Sequence, residues 1–420
     1  MWKKRVKPGN HRIRLRMLFR SIRFFLTGIT KERKYDVIFF YPSHFNREGK
    51  GQNLLFEAFY RSCRKEGLRY LVLEEPTFDE TEIRNSDAVP FDFIFLLIVL
   101  MRKIFPEGRF NHFSAREWHI AALLRPFFFQ KFHFDNVVVL SNSMVAFFRG
   151  LNKEARIYDY QHGIIYPFHP GYVNEDGSVS GLVQRNRVDI LIYGRNFLNL
   201  LLKRENEPYY RRHAHVIGFT KDQYLRVSSN ERRAETRSRT ILFTSTIVDD
   251  SPDNHMAHIE TIGKFFRNNS DFFLRNDITV QFKLHPRHDS RLDINEILAL
   301  PFVRLSEGDI IEALKNSFLH MTLVSTSTFE ASALKIPTLL WNTFYDDIGK
   351  IFIDLFHYPL GIRETEEITG SIEKYLNDRE KWSQDGEKAY AWYKTFYEPY
   401  NEQKFISLLR RDKLKSRNEF

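Results

Sequence analysis

From residue 35 onward, short runs of β-branched and aromatic residues alternate regularly with longer stretches that have helical periodicity. This alternation is typical of βα units arranged around a parallel sheet. It predicts two series of five strands, with helices between them. The predicted strands are Asp36–Tyr41, Tyr70–Glu74, Asn136–Leu140, Arg156–Tyr160, Asp189–Tyr193, Thr240–Thr244, Thr279–Leu284, Val303–Leu305, Leu319–Val324 and Thr338–Leu340. The expected fold class is therefore α/β, with two parallel sheets.

The chain is also long enough to require two domains, because 420 residues exceed what one hydrophobic core usually supports. A polar, charge-dense stretch between Ile217 and Arg239 separates the two series of strands, and we place the interdomain linker there. The expected organisation is a basic segment over residues 1–34, a first domain over 35–220, a second domain over 240–365, and C-terminal helices over 366–420 that pack near the domain junction.

The N-terminal segment is basic and partly apolar. Basic residues that precede the first acidic residue, Glu32, include Lys3, Lys4, Arg5, Lys7, Arg12, Arg14, Arg16, Arg20 and Arg23, with aromatic and aliphatic residues between them. Because each Lys or Arg near an anionic bilayer contributes about 1 kcal/mol, we expect this segment to bind the anionic inner surface of a membrane. A solvated arm is the alternative. Nucleic acid is not an expected partner, since no recognition motif follows.

Cysteine usage and hydropathy indicate the compartment. Cys63 is the only cysteine, which excludes an internal disulfide framework and a cysteine-rich zinc site and fits a reducing environment. The basic N-terminus lacks the continuous apolar core of a secretory signal. The longest apolar run, from Phe93 to Met101, is shorter than the roughly 20 residues that cross a bilayer, and we expect it to form a buried helix. The predicted location is cytoplasmic, peripheral at the inner membrane.

The strongest motif is the stretch from Gln281 to Arg287, where an apolar strand ends in basic and hydrogen-bonding groups. Ligands of open parallel sheets bind at the carboxyl ends of the strands, so His285 should point into a cleft together with Lys283 and Arg287. Such groups would stabilise the charge that builds on a departing phosphate. A loop histidine that bonds only to backbone is the alternative.

A run of four hydroxyl residues follows another strand of the second series. Ser325, Thr326, Ser327 and Thr328 lie where a strand meets a helix, and free backbone N–H groups at such a junction can hold phosphate. Plain helix capping is the alternative, although capping requires only one hydroxyl.

Glu330 and the pair Thr244-Ser245, all in the second series, are also candidates for nucleotide contacts. Glu330, just inside the helix, is a candidate for contacting a ribose, or else for a capping box. Thr244 and Ser245 end the first strand of the second series and suit the floor of a nucleotide site, although a simple turn would also explain them.

In the first series, a strand ends at Asp159 and Tyr160 and is followed by Gln161, His162 and Gly163. Transfer to a hydroxyl acceptor requires a general base, and an imidazole with an ordinary pKa of about 6.5 can accept a proton near neutral pH. We therefore predict that His162 is the base and that Asp159 supports it, with an ordinary buried histidine as the alternative. His169 and Arg195 are lower-ranked candidates on the acceptor side.

Several motifs are missing from the sequence. It contains no Asp-x-Asp pair, no G-x-x-x-x-G-K-[ST] loop, no G-x-G-x-x-G fingerprint and no H-E-x-x-H. The absence of the last three motifs argues against P-loop NTPases, dinucleotide oxidoreductases and zinc proteases, respectively. We accordingly expect no metal site and no cofactor other than an activated substrate.

The segment from Lys283 to Arg287 followed by Ser325 to Thr328 resembles the HP and Ser-Ser/Thr motifs of bacterial GT-B sialyltransferases and polysialyltransferases. It is also similar to the corresponding motifs of capsule Kdo transferases and CDP-glycerol glycerophosphotransferases. The segment Gln161-His162-Gly163 looks like the His-Gly motif of the last of these families. The sialyltransferase acidic-acidic-Gly motif has no clear counterpart, because Glu74-Glu75 is followed by Pro76 and Glu175-Asp176-Gly177 lies in a polar turn.

The resemblance implies a GT-B-like fold, in which two Rossmann-like domains face each other across a cleft and C-terminal helices follow. It implies that His285 contacts the donor phosphate, that Ser325 to Thr328 hold this phosphate, and that His162 is the base. The expected activity is an inverting, metal-independent glycosyltransferase that uses a nucleotide-sugar donor, CMP- or CDP-linked in preference, and a surface polysaccharide or lipid-linked glycan as acceptor. The alternatives are a sugar-nucleotide epimerase of GT-B fold and a non-catalytic scaffold that binds membranes or polyanions.

Overall fold

The computed structural model of the protein divides into two compact units, residues 1–221 together with 398–420, and residues 222–397. The structure describes residues 8–27, 29–46, 49, 51–77, 83–166, 169–202, 207–221, 239–246, 252–285, 293–343 and 351–415. Pro286 and Arg287, two residues of the predicted phosphate site, lie outside this set.

The first unit is built on a seven-stranded sheet with the order β3-β2-β1-β4-β5-β6-β7, in which every strand pair is parallel. Its strands are β1 (Arg33–Pro42), β2 (Tyr70–Glu75), β3 (Val89–Pro90), β4 (Phe132–Leu140), β5 (Arg156–Tyr160), β6 (Val188–Ile192) and β7 (Ala214–Val216). Its helices are α1 (Pro8–Thr27), α2 (Glu57–Lys65), α3 (Asp92–Ile104), α4 (Phe113–Leu124), α5 (Val145–Leu151), α6 (Gly181–Arg185), α7 (Arg195–Leu201) and α8 (Glu207–His213), and a π-helical turn spans Arg125–Phe129.

The second unit contains a six-stranded sheet with the order β10-β9-β8-β11-β12-β13, again with parallel pairs. Its strands are β8 (Thr240–Thr244), β9 (Thr279–Lys283), β10 (Val303–Leu305), β11 (Leu319–Thr322), β12 (Thr338–Trp341) and β13 (Ile362–Arg363). Its helices are α9 (Pro252–Asn268), α10 (Ser270–Arg275), α11 (Asn295–Leu298), α12 (Ile310–Lys315), α13 (Ser327–Ala333), α14 (Ile351–Asp354), α15 (Ile368–Asn377) and α16 (Arg379–Phe396). All ten predicted strands are present.

Residue type explains why the central strands pair in parallel. Val37 to Tyr41 in β1 and Val137 to Leu140 in β4 are fully buried, and both are unbroken apolar runs. A strand that alternates apolar and polar residues would leave one face in solvent, whereas an unbroken run must be covered on both faces. The crossover helices provide this cover, so polar side chains of these strands reach the surface mainly at the strand ends.

The last residues of the chain belong to the first unit. Glu398 accepts a hydrogen bond from the backbone N–H of Phe219 (2.8 Å) on its carbonyl, and Ile217 accepts one from Asn401 (2.7 Å). Helix α17 (Glu402–Lys415) follows and packs on α2, where the rings of Phe405 and Phe59 stack at 4.2 Å. The segment from 398 to 401 therefore ties the C-terminal helix to the end of β7.

Gly218 allows the C-terminal segment to lie this close. Its φ is +87°, and a Cβ at this position would lie 2.1 Å from the carbonyl oxygen of Pro399. Only a residue without a side chain fits, since both the backbone conformation and the approach of a second backbone exclude a Cβ.

We predict that Gly218→Ala destabilises the protein more than Gly67→Ala. Gly67 also has a positive φ, +66°, but no atom of the described residues lies within 4 Å of the position of its Cβ, so its substitution costs only the backbone strain of about 1–2 kcal/mol. Gly218→Ala adds a clash with backbone, worth about 1–3 kcal/mol more. Thermal unfolding of both variants measures the difference. Equal shifts would show that the segment from 398 to 401 adjusts without cost.

Candidate functional site

In the second unit, three neighbouring strands bring candidate residues to one edge of the sheet. Strands β9, β8 and β11 are adjacent and parallel, so their carboxyl ends meet. Ser245, directly after β8, donates its backbone N–H to the carbonyl of Lys283 at 2.9 Å. Its hydroxyl in turn accepts the backbone N–H of His285 at 3.0 Å. These two bonds hold His285 beside the end of β8.

The hydroxyl stretch after β11 is tied to the same place. The Thr244 hydroxyl lies 2.9 Å from that of Ser327, and Ser327 donates to the Ser325 hydroxyl at 2.8 Å. Because Thr244 and Ser245 are consecutive, His285 and the 325–328 stretch share one edge of the sheet. We call this group, from 244 to 245, 283 to 285 and 325 to 328, the hydroxyl edge.

The four hydroxyls after β11 differ in access. Thr326 is exposed and Ser325 is partly buried, whereas Ser327 and Thr328 are buried. Ser325 also accepts the backbone N–H of Ser327 at 3.2 Å, so part of its role is to cap the helix. Thr326 occupies the N-cap position without making a side-chain cap bond. Ser325 and Thr326 are therefore the two hydroxyls that a ligand can reach.

Lys283 belongs to the hydroxyl edge, and Glu330 follows it in the helix that begins there. The Lys283 ammonium donates to the carbonyl of Gly308 at 2.7 Å, beyond the end of β10, and burial lowers the pKa of this lysine. Glu330 is partly buried in the first turn of α13. Arg287 lies outside the described residues, so its predicted phosphate contact has no counterpart here.

His320, in β11, contacts the hydroxyl edge from inside the sheet. Its Nε2 lies 3.0 Å from the Thr244 hydroxyl and its Nδ1 lies 3.0 Å from the Thr338 hydroxyl. It is fully buried, and this burial lowers its pKa to about 3, so the ring is neutral at physiological pH. Sequence reasoning missed this residue, although a histidine inside an apolar strand is itself a signal that partners must exist.

In the first unit, the carboxyl ends of the strands carry a second group of polar residues. His162 follows β5 and is partly buried against the ring of Phe45, whose centroid lies 5.6 Å away in an edge-to-face arrangement. Burial, together with the nearby imidazoles of His169 and His44, lowers the pKa of His162 to about 4. Within the described part of the chain, its buried Nδ1 has no hydrogen-bond partner. A neutral ring with one unused nitrogen can accept a proton.

Asp159 has a different position from His162. It is fully buried and accepts hydrogen bonds from the backbone N–H of Asn142 (2.9 Å) and the hydroxyl of Tyr172 (2.7 Å). Burial outweighs these bonds and raises its pKa to about 7. The loop that it holds contains Ser141, Asn142 and Met144, and all three residues have positive φ values. Asp159 is thus placed to stabilise a strained loop rather than to contact a substrate.

Glu75, at the end of β2, is a candidate site residue that the sequence alone did not indicate. It accepts a hydrogen bond from the Ser143 hydroxyl, and burial raises its pKa. The neighbouring Glu74 is instead locked into a buried ion pair with Arg84. The pair Glu74-Glu75 was visible in the sequence, but only the strand geometry separates the structural carboxylate from the one beside the loop.

The lower-ranked acceptor candidates also differ in position. The ring of His169 lies 4.8 Å from that of Tyr172, and burial lowers its pKa. Its imidazole also lowers the pKa of His162, so the two rings lie near each other. Arg195 begins α7 as an exposed residue whose backbone N–H donates to the Glu398 carboxylate at 2.8 Å. Across the described ranges, no group of three or more His, Cys, Asp or Glu residues could hold a metal ion.

The sequence matches no family model and no curated protein, but solved structures share its fold. The UDP-GlcNAc 2-epimerase from Neisseria meningitidis bound to UDP-GlcNAc has a TM-score of 0.58 at 14% identity, covering 90% of this chain and 100% of that chain. MnaA from S. aureus with UDP has 0.57 at 12% identity, covering 90% and 96%. The wall teichoic acid polymerase TagF has 0.53 at 16% identity, covering 99% and 100%. These similarities confirm the predicted GT-B-like fold with two parallel-sheet α/β domains.

We predict that His320 makes the stability of the protein fall as the pH falls from about 6.5 towards 3. The unfolded chain takes up a proton on this histidine near pH 6.5, whereas the folded chain does not until about pH 3, so acid favours unfolding throughout this window. The effect amounts to at most about 1.4 kcal/mol per pH unit. Urea unfolding between pH 7 and 4 should show a shallower slope for His320→Gln. The exposed His357→Gln is the control, and an unchanged slope for His320→Gln would contradict the prediction.

Proposed function

We propose that the protein is a GT-B glycosyltransferase that transfers a sugar or sugar-like unit from a nucleotide-activated donor. The observation that carries the proposal is the hydroxyl edge, where hydrogen bonds join His285 to Ser245 and the neighbouring Thr244 to the stretch from Ser325 to Thr328. The structural neighbours add support, since their structures were solved with UDP, UDP-GlcNAc or CDPG. A nucleotide-sugar is thus the substrate, and no further cofactor is proposed.

The donor phosphate would bind at the hydroxyl edge. The reachable hydroxyls of Ser325 and Thr326 donate to its oxygens, and His285 stabilises the charge that develops when the bond between sugar and phosphate breaks. A metal ion is not needed for this role if cationic and hydroxyl donors surround the phosphate. The resemblance to the HP and Ser-Ser/Thr families favours a CMP- or CDP-linked donor over a UDP- or GDP-linked one.

The acceptor would be activated by His162. An acceptor hydroxyl gives its proton to the imidazole of His162 while its oxygen bonds to the anomeric carbon from the side opposite the phosphate, so the bond to phosphate breaks and the configuration inverts. Burial favours this role in one respect, because a pKa of about 4 keeps the ring unprotonated at neutral pH. The proposed acceptor is a surface polysaccharide or a lipid-linked glycan, as in the families that the motifs resemble.

A sugar-nucleotide epimerase is the second candidate. Solved 2-epimerases are among the structural neighbours, and Glu75 is a carboxyl group with a raised pKa beside a loop, as acid-base chemistry on a sugar ring requires. An epimerase would convert a nucleotide-sugar without an acceptor. Incubation with candidate donors, followed by chromatography of the nucleotide-sugars, would detect an isomerised donor and would exclude the transferase proposal if no acceptor were ever needed.

We predict that CMP or CDP raises the melting temperature more than UDP or GDP does, and that Ser325→Ala and Thr326→Ala reduce this effect. Loss of one hydrogen bond to a charged phosphate costs about 1.5–3 kcal/mol, which weakens binding about 10- to 100-fold. Thr261→Ala, a hydroxyl on α9 of the same unit, is the matched control. If the control and the two variants bound nucleotide equally well, the hydroxyl edge would not be the donor site.

We predict that His162→Ala removes transfer but preserves nucleotide binding, whereas His285→Ala impairs turnover through the donor. Removal of a general base typically lowers the rate about 10²- to 10⁴-fold. Nucleotide release in the presence of an acceptor measures turnover, and calorimetry measures nucleotide binding. The exposed His133→Ala is the control in the first unit. Wild-type transfer by His162→Ala would remove the base assignment.

A further inference from the structure

Helix α1 presents two different faces. Met17 and Phe25 are buried against the first unit, with the ring of Phe25 5.7 Å from that of Phe91. On the other side, Phe19 is 67% exposed and Leu26 is 45% exposed. The two faces follow helical spacing, so one side of α1 is anchored and the other presents apolar groups to the surroundings.

Helix α3 has the same arrangement. Ile94 and Ile98 are buried, whereas Leu96, Leu100 and Ile104 are 45%, 54% and 55% exposed. The run from Phe93 to Met101, which was expected to form a buried helix, does form a helix, but only one of its sides is buried. The helix is apolar on both sides, and in the part of the chain that the structure describes only one side is buried.

These helices and the π-helical turn are joined to one another. The Ser21 hydroxyl accepts the backbone N–H of Phe93 at 3.0 Å, which links α1 to α3. Phe25 lies 5.6 Å from Phe129, and Phe93 lies 5.3 Å from Phe128, so the turn contacts both helices. Phe127 in this turn is 64% exposed. We call Phe19, Leu26, Leu96, Leu100, Ile104 and Phe127 the apolar patch.

The exposed charges within the three elements that carry the apolar patch have one sign. Helix α1 contains five arginines and no acidic residue, and its Arg16 and Arg23 are exposed. Lys103 in α3 and Arg125 in the turn are exposed as well. Asp92 is the only acidic residue in the sequence of the three elements, and it is buried in an ion pair with Arg84 at 2.7 Å.

We propose that the apolar patch and its basic rim form a membrane-binding surface that inserts shallowly into an anionic bilayer. Large exposed apolar side chains flanked by Arg and Lys match the interfacial region, where the apolar groups leave water and the cations meet lipid phosphates. No helix in the described ranges is long and apolar enough to cross a bilayer, which is consistent with binding in the plane of the surface.

Charge argues against a second copy as the occupant. In a symmetric dimer the same surface meets itself, so the arginines of α1 would face the arginines of the other copy. An anionic lipid surface instead neutralises them. The proposed surface is broader than the N-terminal segment alone, because α3 and the turn contribute four of the six side chains of the apolar patch. The inference does not rest on the proposed transferase activity.

The test is binding of the full chain to phosphatidylcholine vesicles with and without about one third phosphatidylglycerol, measured by flotation. We expect binding to the anionic vesicles that weakens as salt rises. Leu100→Ser and Phe127→Ser should each weaken it about tenfold, since each removes an exposed apolar side chain from the bilayer. Arg23→Gln should weaken it about fivefold on anionic vesicles and leave binding to neutral ones unchanged.

Leu274→Ser is the matched control, because Leu274 is 51% exposed on the second unit. It should leave vesicle binding unchanged, and all four variants should keep the wild-type melting temperature because the residues are exposed. Full binding by Leu100→Ser and Phe127→Ser would overturn the composite surface. A wild-type dimer in light scattering that becomes monomeric in these variants, without vesicle binding, would show that a second copy is the occupant.

Discussion

In a parallel sheet with helices on both faces, strand ends are the main places where a side chain can be polar and still accessible. The second unit meets this constraint with a chain of hydrogen bonds that starts inside the sheet. Thr338, His320, Thr244, Ser327 and Ser325 follow one another through bonds of 2.8 to 3.0 Å. The buried, neutral His320 therefore fixes the orientation of the hydroxyls at this edge. The hydroxyls that a ligand can reach are held in a defined geometry before the ligand binds. Preorganised donors of this kind are effective because they need little rearrangement when charge develops on a ligand.

The first unit uses burial for a different purpose at its own strand ends. Desolvation disfavours the charged form of each group, which raises the pKa of Asp159 and Glu75 and lowers that of His162. One group, Asp159, holds a loop of unusual backbone conformation. Another group, His162, remains neutral beside the ring of Phe45. Burial thus underlies both the structural role of Asp159 and the proposed role of His162 as a base. The hydrogen-bond partners of each group decide which role it takes.

The strands were predictable because unbroken apolar runs such as Val137 to Leu140 have no other stable environment in a chain of this size. Strands β3, β7 and β13, of two or three residues each, were not predicted. At the site, the grouping of His285 with Ser325 was predictable from the strand-end rule. The support from His320 was not, because it depends on which residues of non-adjacent segments meet. Hydropathy likewise marked α3 as apolar but could not say which of its two sides the fold would cover.

The return of the chain at residue 398 has a consequence for how the protein is made. The first unit needs Asn401 beside Ile217 and Phe405 against Phe59, yet these partners are separated by the whole of the second unit. On the ribosome, the second unit can reach its native contacts before the first one is complete. Until residues 402–415 have been made, Phe59 lacks its stacking partner Phe405. A nascent chain in that state exposes aromatic surface that the folded protein covers.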